Sequence, residues 1–122
     1  MLQIPLISVV EDDDSLREAM VGLVESLGHQ ALGFDSAEAF LAGDASSRSA
    51  CVITDIQMPG LSGIDLKLTL AAAGNPVPVI MVTARPEESL HERARASGAF
   101  CLLRKPFTPD ALVDCLERAL SR

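Results

Sequence analysis

Residues 50–60 read Ala-Cys-Val-Ile-Thr-Asp-Ile-Gln-Met-Pro-Gly, an apolar run that ends on one carboxylate and passes into a turn. Because residues 50–54 are apolar and rich in β-branched side chains, they are predicted to form a buried strand. Asp55 then lies at the carboxyl end of that strand, where an α/β sheet usually binds its ligand. An aspartate before a Pro-Gly turn is also ordinary turn chemistry, so Asp55 is at this point only a candidate.

Four further segments resemble strands, and most of them also end in polar residues. Val9-Val10 leads into Glu11-Asp12-Asp13-Asp14, and the last strand leads through Arg104 to Lys105-Pro106. The five predicted strands cover residues 4–10, 30–34, 50–54, 77–82 and 100–104.

The segments between the strands have helical periodicity. The first helix carries one apolar face formed by Leu16, Met20, Leu23, Val24 and Leu27. The sequence does not decide which residue caps the start of this helix. Residues 15–18 fit a capping box, and Asp14 is an alternative cap. Helix capping is also the plain explanation of Asp13. The other four helices are predicted to begin at residues 35–38, after Ser62, at Pro86 and after Thr108, and the one from Pro86 is predicted to run to about Ser97. Residues 43–49 are predicted to form a polar loop.

The five predicted strands alternate with five helices, and four of the strands are continuous apolar runs. This pattern indicates a parallel sheet covered by helices on both faces. Right-handed crossovers favour one doubly wound α/β domain with the flavodoxin-like strand order 2-1-3-4-5. Neither an internal repeat nor a second domain boundary is visible in the 122 residues.

Composition excludes several classes of protein. The net charge is −7, with ten basic and seventeen acidic residues, so the chain lacks the clustered cations that direct nucleic-acid binding requires. No apolar stretch approaches the ~18 residues of a membrane span, and no secretory signal precedes the first strand, so we expect a cytoplasmic protein without membrane contact.

The cysteines and histidines do not suggest a metal site. Cys51, Cys101 and Cys115 include no C-x-x-C pair and are expected to be buried, reduced thiols. His29 and His91 lack metal-ligand spacing and are expected at surface or loop positions.

The predicted topology gathers the polar strand ends at one rim of the sheet. Glu11-Asp12, Asp55, Thr83 and Lys105 follow four different strands. Neighbouring carboxylates repel one another, and a hard divalent cation, Mg²⁺, resolves this repulsion. A carboxylate can also act as a nucleophile for phosphoryl transfer, with a lysine and a hydroxyl stabilising the charge. Each group alone fits a cap, a turn or a loop; their joint placement favours a phosphoryl site.

The chain resembles the receiver domain of two-component response regulators, most closely the FixJ-like subgroup, whose fold is also called CheY-like. The motifs are Val-Val-Glu-Asp-Asp-Asp-Ser-Leu-Arg at 9–17, Ile-Thr-Asp-Ile-Gln-Met-Pro-Gly-Leu-Ser-Gly at 53–63, Val-Thr-Ala at 82–84 and Lys-Pro-Phe at 105–107. The resemblance covers residues 7–120, and the motifs are specific in this order and spacing.

The resemblance implies a role for each residue at the rim. Asp55 would be the phosphoacceptor, Thr83 the switch hydroxyl and Lys105 the lysine that pairs with the phosphoryl group across a cis Lys105-Pro106 bond. Mg²⁺ would be held by Glu11, Asp12 and Asp55 and by the backbone carbonyl of Gln57. The acidic pair thus falls on residues 11 and 12, not on 13 and 14.

Two positions depart from the family pattern. Glu11 stands where aspartate is more frequent, a variation that the family accepts. Leu102 stands where the family often has a Tyr or Phe that rotates with the switch threonine. Phe100 lies two residues earlier, which would place it on the same face of a strand as Leu102.

The resemblance implies a phosphorylation switch, not an enzyme beyond its own phosphorylation and dephosphorylation. A sensor histidine kinase would be the donor, and the face of the fourth helix, fifth strand and fifth helix would dimerise or dock an output. Residues 1–122 would be the receiver domain, with a possible DNA-binding output domain outside this chain. The alternatives are a pseudo-receiver that only docks proteins and, ranked last, an Mg²⁺-dependent phosphohydrolase.

Overall fold

The fold, in a computed structural model that describes residues 4–121, is a five-stranded parallel sheet between two layers of helices. The strands are β1 (Leu6–Val10), β2 (Gln30–Phe34), β3 (Cys51–Asp55), β4 (Val79–Thr83) and β5 (Cys101–Arg104). All neighbouring strands pair parallel in the order β2-β1-β3-β4-β5, which confirms the predicted topology.

Six helices lie among the described residues, all in the connections that follow the strands. They are α1 (Asp14–Ser26), α2 (Ala37–Ala42), α3 (Ala45–Arg48), α4 (Gly63–Ala72), α5 (Glu88–Ala96) and α6 (Pro109–Leu120). None of the helices within residues 4–121 is long and apolar enough to span a membrane.

The core is divided by the sheet into two apolar clusters. Every residue of β1, β3 and β4 is buried, and successive residues alternate between the clusters. Val52 packs with Phe40 and Leu66 on one face, whereas Ile53 packs with Leu116 on the other. Burying such a side chain contributes about 1.5–3 kcal/mol, so both faces of the central strands stabilise the fold.

Helix α3 lies in the segment that the sequence predicted as a loop, and this part of the prediction is wrong. Its turn is held by tertiary contacts: Ala45 is buried, and the Asn75 side chain donates to the Ser46 carbonyl oxygen over 2.9 Å. Local sequence cannot show such contacts. The fourth and fifth predicted helices are therefore α5 and α6.

Helix α5 also starts later than predicted. Pro86 lies outside the helix, which begins at Glu88 after the N-cap residue Glu87. The preceding segment is fixed by His91, whose Nε2 lies 2.9 Å from the Arg85 carbonyl oxygen. The expectation that His91 lies at the surface is wrong, because this contact draws its ring into the structure with 6% of the residue exposed. His29 does lie in a loop, between α1 and β2.

The first helix is capped by Asp13, not by Ser15 or Asp14. The Asp13 carboxylate accepts the Leu16 N–H over 3.0 Å, and its backbone is extended, as an N-cap requires. The caps predicted at Ser62 and Thr108 are confirmed, and Ser62 forms a reciprocal capping box with Asp65.

Asp13→Ala should lower the free energy of unfolding by about 1 kcal/mol, because it leaves the Leu16 amide at the helix start without its acceptor. Ser15→Ala is the matched control and should change stability little, since Ser15 is exposed and does not cap the helix. Urea unfolding of both variants measures the difference. A larger loss from Ser15→Ala than from Asp13→Ala would contradict the assigned cap.

Candidate functional site

The carboxyl ends of β1, β3 and β4 and the residue after β5 meet at one rim of the sheet. Asp55 is the last residue of β3, and Glu11 directly follows β1. One carboxylate oxygen from each of Glu11, Asp12 and Asp55 lies within 4.8 Å of the others. The parallel register thus brings together acids that are 44 positions apart in the chain, as the sequence predicts.

Lys105 binds two of these carboxylates. Its Nζ lies 3.1 Å from Glu11 Oε1 and 3.3 Å from Asp55 Oδ1. The side chains of Glu11 and Asp55 are 1% and 8% exposed, and that of Lys105 is 22% exposed. The Lys105-Pro106 peptide bond is cis, as predicted. One ammonium group therefore serves two buried carboxylates from different strands.

Burial dominates the electrostatics of the site. It raises the pKa of Asp55 above its ordinary value; Lys105 offsets this in part, and the charge of Asp12 adds to it. Burial likewise raises the pKa of Glu11, with a further contribution from Asp55. Burial alone would lower the pKa of Lys105, but its contacts with Glu11 and Asp55 raise it. The three carboxylates thus carry more negative charge than the one ammonium group can balance.

The arrangement of oxygens fits a hard divalent cation. Asp55 Oδ1 is the one buried side-chain polar atom within residues 4–121 that has no hydrogen-bond partner, although Lys105 Nζ lies 3.3 Å away. Three carboxylates offer the oxygen ligands that Mg²⁺ and Ca²⁺ prefer. The unpartnered oxygen and the excess negative charge both favour a cation here.

The structure separates the acids of the run 11–14. Glu11 and Asp12 lie in the cluster with Asp55. Asp13 caps α1, and Asp14 lies 2.7 Å from Arg17 Nη2 with its side chain 81% exposed. Their positions agree with placing the acidic pair on residues 11 and 12.

Thr83 lies at the rim but turns its hydroxyl toward the side chain of Gln57. Its Oγ1 donates to Gln57 Oε1 over 2.9 Å and accepts the Arg85 N–H over 3.0 Å. The sequence predicted a role for the Gln57 backbone but not for its side chain. The Gln57 carbonyl as a metal ligand stays a prediction.

Two further residues support the site and were missed by sequence reasoning. Arg17 Nη1 donates to the Glu11 carbonyl oxygen over 2.8 Å and so holds the turn after β1. Glu38 Oε2 accepts the Leu61 N–H over 3.1 Å and ties α2 to the loop after Asp55. At Gly60, whose φ is +78°, a Cβ atom would collide with this carboxylate. The contacts of Arg17 and Glu38 join residues that are separated in the sequence, so local patterns do not predict them. The one sequence signal was the turn at Gly60.

Leu102 and Phe100 pack on opposite sides of the sheet. Leu102 contacts the cluster that contains Val52 and Met81, whereas Phe100 contacts the cluster that contains Ile53. Phe100 precedes β5, which begins at Cys101, so the strand alternation does not extend to it. The expectation of a shared face is wrong, and Phe100 does not replace an aromatic residue at position 102.

Comparisons with known proteins agree with this geometry. The family model described as the response regulator receiver domain matches residues 7–117. The chain is 35% identical over 114 residues to the transcriptional regulatory protein FixJ of Bradyrhizobium diazoefficiens, which covers 93% of this chain and 56% of that protein. It is 33% identical over 117 residues to nodulation protein W of the same organism, which covers 96% of this chain and 52% of that protein. The chain therefore spans about half the length of these curated relatives.

A solved structure has the same fold as this chain. The crystal structure of FixJ-N matches with a TM-score of 0.89 and 27% identity, covering 99% of this chain and 97% of that one.

Asp55→Asn should raise the free energy of unfolding at neutral pH, without divalent cations, by on the order of 1 kcal/mol. Burial raises the pKa of Asp55 above 3.8, so the folded state holds the proton more tightly than the unfolded state does. The stability that results is complete below the unfolded-state pKa and is lost as pH rises through the folded-state pKa. The uncharged amide escapes this loss, so the gain should grow from about pH 4 to pH 7.

Urea unfolding at several pH values measures this gain, with Glu92→Gln as the control because Glu92 is an exposed residue of α5. A variant that is less stable than wild type at pH 7, or a difference independent of pH, would contradict the electrostatic account.

Glu38→Ala should speed hydrogen exchange at the Leu61 amide about tenfold, since a hydrogen bond to a charged acceptor contributes about 1.5 kcal/mol. Glu38→Gln keeps an acceptor oxygen and should restore much of the protection. The Leu66 amide, which donates to the Ser62 carbonyl oxygen inside α4, is the internal control. Equal exchange at Leu61 in wild type and Glu38→Ala would show that this carboxylate does not hold the loop.

Proposed function

The chain belongs to the response regulator receiver domain family, and from that premise we propose that Asp55 accepts a phosphoryl group from a sensor histidine kinase. The observation that carries the proposal is the buried Asp55 carboxylate, with one oxygen that has no hydrogen-bond partner and a lysine 3.3 Å away. The Asp55 carboxylate can act as the nucleophile toward phosphorus, and the ammonium group beside it can bind the phosphoryl oxygens that arrive.

The chain's own residues divide the work of the transfer. Glu11, Asp12, Asp55 and the Gln57 carbonyl would hold Mg²⁺, which would supply positive charge to the phosphoryl oxygens. The Asp55 carboxylate forms the new O–P bond as the bond to the donor breaks. Lys105 then pairs with a phosphoryl oxygen in place of Asp55 Oδ1. The chain acts on no substrate other than itself, so its activity is self-phosphorylation and dephosphorylation.

Thr83 links the phosphoryl site to the rest of the domain. A phosphoryl group on Asp55 competes with Gln57 Oε1 for the Thr83 hydroxyl, since a phosphate oxygen is a strong, charged acceptor. That hydroxyl also accepts the Arg85 N–H in the segment before α5, and the Thr83 carbonyl accepts the Lys105 N–H after β5. A shift of Thr83 therefore acts on α5, β5 and α6, the face that we propose dimerises or docks an output partner.

The position of this domain in a longer protein is part of the proposal. Relatives such as FixJ, named a transcriptional regulatory protein, are about twice as long as the matched segment. We propose a cytoplasmic regulator whose DNA-binding output domain lies outside residues 1–122. The net charge of −7 argues against nucleic-acid binding by this domain itself.

A small phosphodonor with Mg²⁺ should increase the mass of the wild-type chain by one phosphoryl group. Asp55→Asn should abolish the gain, and Asp14→Asn should keep it, because Asp14 lies outside the acidic cluster. Intact-mass spectrometry measures both. No modification of wild type by any phosphodonor would contradict the proposal and favour a docking module instead.

Mg²⁺ should stabilise the wild-type domain by about 1.4 kcal/mol when its concentration is ten times the dissociation constant. Asp12→Asn should weaken this effect strongly and Asp14→Asn should not, because only Asp12 lies with Glu11 and Asp55. Thermal unfolding across a Mg²⁺ titration measures the effect. If both substitutions weakened the stabilisation by Mg²⁺ equally, the assignment of the acidic pair to Glu11 and Asp12 would be contradicted.

A further inference from the structure

Two cysteines that are 14 positions apart lie together between β5 and α6. Cys101 is the first residue of β5, and Cys115 lies in the middle of α6. Arg118 Nη2 lies 3.4 Å from Cys101 Sγ and 3.6 Å from Cys115 Sγ. Burial raises the pKa of Cys115 to about 12, and the next cause is a hydrogen bond with the Cys101 thiol. One guanidinium nitrogen therefore contacts both sulfur atoms.

The two thiols differ in exposure and in their relation to Arg118. Cys101 is half-buried, so the expectation that all three cysteines are buried is wrong for this residue, whereas Cys115 is 3% exposed. Arg118 Nη2 lies slightly closer to the sulfur of Cys101 than to that of Cys115, at 3.4 Å against 3.6 Å. Asp114 Oδ2 accepts from Arg118 Nε over 3.1 Å and orients the guanidinium group. A reachable sulfur beside a cation, with a second thiol behind it, is typical of redox-sensitive cysteines.

We propose that Cys101 and Cys115 form a redox modification site, in which hydrogen peroxide oxidises Cys101 and Cys115 then closes a disulfide between β5 and α6. In the first step the Cys101 thiolate attacks one oxygen of the peroxide, the O–O bond breaks, and sulfenic acid and hydroxide form. In the second step the Cys115 sulfur attacks the Cys101 sulfur, and the S–O bond breaks. The hydroxyl group leaves with the Cys115 proton as water. Two thiols and one peroxide thus give one disulfide and two waters.

Cys51 provides an internal control for this chemistry. It is fully buried in β3, its Sγ donates to the Val52 carbonyl oxygen, and burial raises its pKa to about 12. A buried, protonated thiol reacts slowly with peroxide. The site should therefore consume two of the three thiols and leave the third.

The disulfide would join β5 to α6. Both elements belong to the face proposed above to dimerise or to dock an output partner in response to phosphorylation. This consequence rests on the proposed function, whereas the chemistry of the thiol pair does not. The test therefore measures disulfide formation in the unphosphorylated chain, so that it can fail without affecting the role of Asp55.

The folded wild-type chain is treated with hydrogen peroxide, denatured, alkylated and digested. We expect two of the three thiols to resist alkylation, a cross-linked peptide pair containing Cys101 and Cys115, and recovery of both thiols with a dithiol reductant. Cys51→Ser should form the same cross-link at the same rate. No cross-link in wild type, a cross-link that includes Cys51, or only disulfides between chains would overturn the proposal.

The role of Arg118 is tested by the rate of the reaction. Arg118→Gln should slow cross-linking several-fold, and Arg118→Lys should restore part of the rate because it keeps a positive charge. Arg95→Gln is the matched control, since Arg95 is also an exposed helical arginine paired with a carboxylate. Equal rates in wild type and Arg118→Gln would contradict a role for this arginine at the thiol pair.

Discussion

The contact of Lys105 with Glu11 and Asp55 is the interaction on which the site depends. One ammonium group, 3.1 Å and 3.3 Å from the two carboxylates, balances part of the negative charge that β1 and β3 bring together. The strands cannot separate to relieve the repulsion, because β1, β3 and β4 are buried along their full length. The excess negative charge is therefore a fixed property of the fold, and it favours a cation at this rim.

Hydrogen bonds of Thr83 connect the same rim to the segments that follow β3 and β5. Thr83 contacts Gln57 through its hydroxyl, and its carbonyl fixes the backbone of Lys105. Because Phe100 packs on the other side of the sheet from Leu102, no aromatic side chain takes the usual place at position 102. In this domain the signal should therefore pass through Thr83 and the backbone around β4 and β5, rather than through a rotating ring.

The sequence predicted those features that depend on pattern. Continuous apolar runs identified the central strands, and right-handed crossovers placed Glu11, Asp55 and Lys105 at one rim. Contacts between side chains that are remote in sequence could not be predicted, because they depend on the packed backbone. Glu38 with Leu61, Asn75 with α3 and the pair Cys101–Cys115 are of this kind. The cap at Asp13 could not be singled out for a different reason: several acids and a serine satisfy the same local rule.

The titration of Asp55 and Glu11 tests the account most directly. Carboxylate carbon NMR shifts can be followed against pH without and with saturating Mg²⁺. We expect both groups to titrate above their ordinary values in the metal-free chain, because burial raises both pKa values, and we expect Mg²⁺ to lower both pKa values. An Asp55 that titrates at or below its ordinary value without Mg²⁺, or that does not respond to Mg²⁺, would contradict it.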